Sequence, residues 1–143
     1  MANSELSLRE WIDKAEGYCA RCEHCASDVR RKLLQWGTPD DFYEPILAAL
    51  YKNNFLNDER FCSAYVHDKV AYQSWGRIKI QTSLRALQLP EKSIQESLLA
   101  IDMRQYTANL KRLIQQRRAD SEDKRMRFLL QRGFTFDEIK KCK

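Results

Sequence analysis

The chain has 143 residues, 43% hydrophobic and 31% charged, which suits one domain or an array of small units and excludes a disordered chain. With only 4 glycines and 3 prolines among segments rich in Leu, Ala, Gln, Glu, Lys and Arg, turns are too few for a β protein, and an almost entirely α-helical fold is expected. The net charge of +5 is uneven: residues 1–70 sum to −3 and residues 71–143 to +8, which points to an anionic partner for the second half.

The N-terminal stretch "MANSELSLREWIDKAEG" is charged and lacks the apolar core of a signal peptide. The longest apolar run, near "ILAALY", is far too short to span a bilayer. A cytoplasmic protein in a reducing compartment is expected, and five cysteines, an odd number, argue against a full disulfide framework.

In chain order, the first amphipathic run is Leu8–Cys22. Inside and just after it lies "YCARCEHC", with Cys19, Cys22 and Cys25 in C-x-x-C-x-x-C spacing. Next comes "VRRKLLQWGTPDDFYEPI", residues 29–46, which reads as helix, break, helix. Gly37 supplies the left-handed residue past a helix end, and Pro39 with the following aspartates opens the next helix. Pro45 would fall a turn into that helix, so a late start or a bend near Tyr43–Pro45 is expected. The link "FLNDERF" follows, with Asn57 or Asp58 as cap of a second long run, Glu59–Gln73, whose residues Phe61, Tyr65, Val66, Val70 and Tyr72 are expected to give a mostly apolar face.

The 29–46 pattern then returns twice. "IQTSLRALQLPEKSIQES" covers 80–97 and "RMRFLLQRGFTFDEIKKC" covers 125–142, at offsets of 51 and 96 without gaps. Leu33, Leu84 and Leu129 coincide, and the third long run, Arg104–Arg118, precedes the last copy. The architecture expected is all-α: three tandem three-helix repeats forming an elongated, curved molecule, with units at 1–56 (including an N-terminal extension), 57–101 and 102–143.

The repeat decides how to read the cysteines. Cys25 aligns with Gly76 and Ser121, both good N-cap residues, so it should start the middle helix of the first unit. An iron–sulfur run would need a fourth nearby Cys, and a zinc site a second knuckle; neither is present, so no metal and no cofactor is expected. At a helix N-terminus Cys25 could instead be an activated thiol. His24 and His67 read as packing or surface residues. No nucleophile triad, P-loop or H-E-x-x-H motif occurs, and a non-enzyme is expected.

"FLNDERF" (Phe55 to Phe61), "RFLLQRGFTFDEI" (Arg127 to Ile139) and "EHCASDV" from Glu23 resemble signature segments of the RecX family of bacterial recombination regulators. The resemblance runs from about Ala15 to Cys142. Departures are Cys25 where the family usually has Ser, "SWGR" where Gly-Tyr-Gly-Pro is common, and Ser83 where a Glu is common. The resemblance implies a protein that binds the RecA recombinase filament on single-stranded DNA, lies in its helical groove, and inhibits its extension, ATP hydrolysis and strand exchange. It implies weak, nonspecific DNA binding at most, and a monomer is expected. An independent helical DNA-binding protein or helix-turn-helix regulator is the alternative.

Charge, not motif, nominates the contact residues. They are Arg30, Arg31 and Lys32 in the first unit, and Arg77, Lys79 and Arg85 in the second. In the third they are Lys111, Arg112, Arg117, Arg118, Lys124, Arg125 and Arg127.

Overall fold

The computed structural model describes residues 6–142, and among these it holds nine α-helices, one 3-10 turn and no strand. The helices are α1 Leu8–Arg21, α2 Ala26–Trp36, α3 Tyr43–Lys52, α4 Asp58–Gln73, α5 Arg77–Ala86, α6 Glu91–Leu99, α7 Met103–Gln116, α8 Glu122–Gln131 and α9 Phe136–Lys141. They come in threes along the chain, with the first of each trio the longest, as the repeat requires. The 3-10 turn Asp40–Phe42 delays α3 to Tyr43, which puts Pro45 in the first turn, where its missing N–H costs nothing. The chain divides inside α4 into a compact unit that ends at Phe61 and another that begins at Cys62.

In the first unit, α1 opens with a capping box: the Glu10 N–H donates to Ser7 Oγ, and the Ser7 N–H donates to Glu10 Oε1 at 3.0 Å. Trp11, Ala15 and Cys19 then fall on one face and are buried. They meet Val29 and Leu33 of α2 and Ile46, Leu47 and Leu50 of α3 in a single core that Leu56 closes.

The three breaks between middle and short helices share one hydrogen-bond pattern. The Thr38, Leu89 and Phe134 N–H groups donate to the carbonyls of Leu33, Leu84 and Leu129. Each break passes through a left-handed residue at the same repeat position: Gly37 (φ 73°), Gln88 (φ 63°) and Gly133 (φ 101°). The second copy does this without a glycine, at some backbone cost.

In the compact unit that begins at Cys62, α5 starts where α8 ends. The Gly76 N–H donates to the Arg132 carbonyl at 2.7 Å, and the Ile78 N–H donates to the Gly133 carbonyl at 3.0 Å. A Cβ on Gly76 would lie 2.2 Å from the Gly133 carbonyl carbon, so only glycine fits. Tyr106, buried on α7, ties the same corner together. Its hydroxyl accepts from the Arg77 N–H and donates to Glu138 Oε1, both at 3.0 Å. Asn109, also buried, donates to the Val70 carbonyl at 2.7 Å, holding α7 to the last turn of α4. Phe128, which the apolar pattern suggests as a core residue, is only half-buried; the Arg117 guanidinium lies over its ring, 3.7 Å from the centroid.

Candidate nucleic-acid and protein interface

The thirteen nominated cations fall into three groups. The first already has carboxylate partners within the chain. Arg30 reaches Glu44 at 2.6 Å, Arg31 reaches Asp28 at 3.0 Å, Arg77 reaches Glu138 at 3.0 Å, and Arg117 and Lys124 share Asp120. Arg85 grips Glu91 through two nitrogens, at 2.9 and 2.7 Å, which holds the exposed Glu91 carboxyl down at about 2. A phosphate would have to compete with these carboxylates.

The second group acts as scaffold. Arg125 donates to the carbonyls of Arg117, Arg118 and Asp120, in the turn that follows α7. Arg112 donates to Asn109 Oδ1 at 3.2 Å and to Ser74 Oγ, steadying the turn after α4. Replacing either would disturb folding as well as charge.

The third group has no carboxylate within ion-pair distance among the described residues: Lys32, Lys79, Lys111, Arg118 and Arg127. Lys111, Arg118 and Arg127 are exposed. Lys111 shares a shallow groove on α7 with Met103, Arg104 and Thr107. Lys79 lies over the Trp75 ring at 4.4 Å, and Lys69 lies over the same ring at 4.6 Å. In the first unit Lys14 and Lys32 flank Trp36 in the same way, at 4.4 and 5.9 Å.

Lys14 and Lys69 escaped the charge-based nomination because neither sits in a basic run. Lys69 reaches Trp75 because Ser74 turns the chain left-handed (φ 54°) after α4, and sequence spacing does not display that turn. Both aromatic–lysine clusters combine a π-face with positive charge, the elements from which single-stranded nucleic-acid platforms are made.

The cysteine joint is arranged as the repeat implies, with one difference. Cys25 is the N-cap of α2, and the Cys25 N–H donates to Asp28 Oδ2 at 3.2 Å. It is not an activated thiol, however. Cys25 is 1% exposed, and burial pushes its thiol up, outweighing the lowering by backbone N–H groups at the helix start. None of the five cysteines is in a disulfide. Among the described residues, no group of three His, Cys, Asp or Glu side chains is disposed to hold a metal ion. No helix among them is long and apolar enough to cross a membrane.

A family model described as RecX, second three-helix domain, matches residues 57–98, from the cap of α4 through most of α6. The regulatory protein RecX of Herbaspirillum seropedicae is 30% identical over 147 residues, an alignment spanning 99% of this chain and 92% of that protein. The chain belongs to the RecX family. A second RecX, from Ralstonia nicotianae, is 30% identical over 135 residues and covers 91% of this chain and 82% of its own length. Two solved RecX structures share the fold. The one from Lactobacillus salivarius has a TM-score of 0.79 at 18% identity, covering 94% of this chain and 93% of that one. Another RecX crystal structure has a TM-score of 0.78 at 23% identity, covering 94% of this chain and 73% of that one. The all-helical, three-by-three arrangement is therefore the RecX fold.

Proposed function

We propose that this RecX-family protein is a non-enzymatic regulator of the RecA recombinase filament on single-stranded DNA. It restrains filament extension, ATP hydrolysis and strand exchange, and so acts in recombination and repair in the cytoplasm, as a monomer. The observation that carries the reading is the similarity to proteins named regulatory protein RecX over essentially the whole chain.

We further propose that its three-helix units, 1–56, 57–101 and 102–143, engage the filament together. Contact falls first on the cations without carboxylate partners: Lys32, Lys79, Lys111, Arg118 and Arg127. The paired set, including Arg30, Arg31, Arg77, Arg85 and Lys124, contributes only where a phosphate or an acidic protein surface displaces an internal carboxylate. Exposed apolar side chains beside the α6–α7 link, Leu99 (86% exposed) and Met103 (56%), offer a protein partner something that DNA phosphates do not use.

The test is equilibrium association with RecA-coated single strands, bare single strands and random duplex, across a salt series. Filament binding should exceed binding to either DNA alone. Changing Lys111, Arg118 and Arg127 to Gln should weaken it and flatten the log–log salt slope by about 0.7 for every phosphate no longer neutralised. Tight, sequence-dependent duplex binding with no preference for the filament would favour a helix-turn-helix regulator instead.

A further inference from the structure

The joint between α1 and α2 holds a group of side chains that the charge-based contact surface does not use. Cys22 caps the C-terminal end of α1 and is exposed, and its Sγ lies 3.4 Å from His24 Nε2. On the other side of the ring, His24 Nδ1 lies 3.3 Å from Asp28 Oδ2. The imidazole is held face-on against Tyr18, with ring centroids 4.0 Å apart and planes 14° from parallel. Asp28 is fixed in turn, because it accepts from the Cys25 N–H at 3.2 Å and from Arg31 at 3.0 Å.

Each contact selects a chemical state. Donation from Nδ1–H to the Asp28 carboxylate fixes the tautomer whose Nε2 is an acceptor. That nitrogen faces a thiol, so the thiol proton has a base within reach, and the resulting imidazolium has a carboxylate behind it. Nucleophile, base and orienting acid in this order form the general pattern of an activated side chain. Lys14, Arg21 and Lys32 line the same groove against a single carboxylate, Asp13, so the groove is net positive around any anion formed there.

We propose that Cys22 is a modification site: a nucleophilic thiolate, generated by proton transfer to His24, that takes hydroperoxides and soft carbon electrophiles. With a hydroperoxide the thiolate sulfur attacks one peroxide oxygen. An S–O bond forms and the O–O bond breaks. Sulfur is oxidised by two electrons to sulfenic acid, the peroxide is reduced, and the departing hydroxide or alkoxide takes the proton held on His24. With an α-halo amide the sulfur displaces halide and the imidazolium proton is released to solvent. The remaining cysteines supply internal references. Cys19 is 7% exposed with its thiol pushed up to about 11, chiefly by burial; Cys25 and Cys62 are buried; and Cys142 is half-exposed.

The experiment is timed alkylation of the full-length folded chain by iodoacetamide at neutral pH, with each cysteine followed by peptide mass spectrometry. Cys22 should react at least about tenfold faster than Cys142, and His24→Gln should slow Cys22 by about tenfold while leaving Cys142 unchanged. Hydrogen peroxide followed by dimedone should label Cys22 in the parent and not in His24→Gln. Equal rates at Cys22 and Cys142 in the parent would overturn the proposal whether or not the variant folds. So would a Cys22 rate unaffected by His24→Gln in a variant whose Cys19 and Cys25 stay protected.

Discussion

The middle helices α2 and α5 begin at equivalent repeat positions, Cys25 and Gly76, and begin in different ways. At Cys25 the start is closed locally: a buried thiol faces the first turn, and Asp28 reaches back to the cap N–H. At Gly76 the start is closed by a distant part of the chain. The α8 end supplies the carbonyls of Arg132 and Gly133, and the Tyr106 hydroxyl accepts the Arg77 N–H. The third copy, Ser121, uses an ordinary hydroxyl cap to the Lys124 N–H at 3.2 Å. Glycine at 76 is therefore a matter of space more than of capping, and the same fold position carries three different chemistries because its surroundings differ.

The largest effect is expected where backbones touch. Gly76→Ala forces a Cβ into the Gly133 carbonyl and should cost about 3 kcal/mol or more, read as a lower urea midpoint. A cost under about 1 kcal/mol would mean that α5 and the end of α8 move apart easily.

Much of the frame could be read in advance, because apolar spacing and caps both mark helices. The runs Leu8–Cys22, Glu59–Gln73 and Arg104–Arg118 became α1, α4 and α7 within two residues. Asn57 caps α4, accepting from the Arg60 N–H at 2.8 Å. The pairing of the basic residues could not be read. Arg77 finds Glu138 only after packing brings distant helices together, and Arg125 folds back onto three carbonyls of the turn before its own helix. The sequence also places the wrong cysteine under suspicion. An N-cap is an attractive site for a reactive thiol, but this cap turns into the core, and Cys22, three residues earlier, is the thiol that meets a histidine.

Tyr106→Phe loosens the α5 start from the α7 side. It removes the acceptor for the Arg77 N–H and one partner of Glu138 while keeping the ring against Phe134. A loss of about 1–2 kcal/mol is expected, with no effect on the first unit's protection in hydrogen exchange.

Ser121→Ala probes the plain cap and should cost about 1 kcal/mol. Cys25→Ser should be the mildest, within about 1 kcal/mol in either direction, since serine caps better but must bury its hydroxyl. If Cys25→Ser proves as costly as Gly76→Ala, the first joint is set by packing around sulfur and the contrast between the two joints fails.

We propose that this RecX-family protein regulates a recombinase and has no catalytic activity of its own. The most direct test is the rate of ATP hydrolysis by the cognate RecA on single-stranded DNA as the protein is titrated from well below to above one copy per RecA. A dose-dependent fall in rate that begins at substoichiometric amounts is expected, with no ATP hydrolysis by the protein alone. An unchanged rate at saturating protein, on filaments that still exchange strands normally, would contradict the proposal.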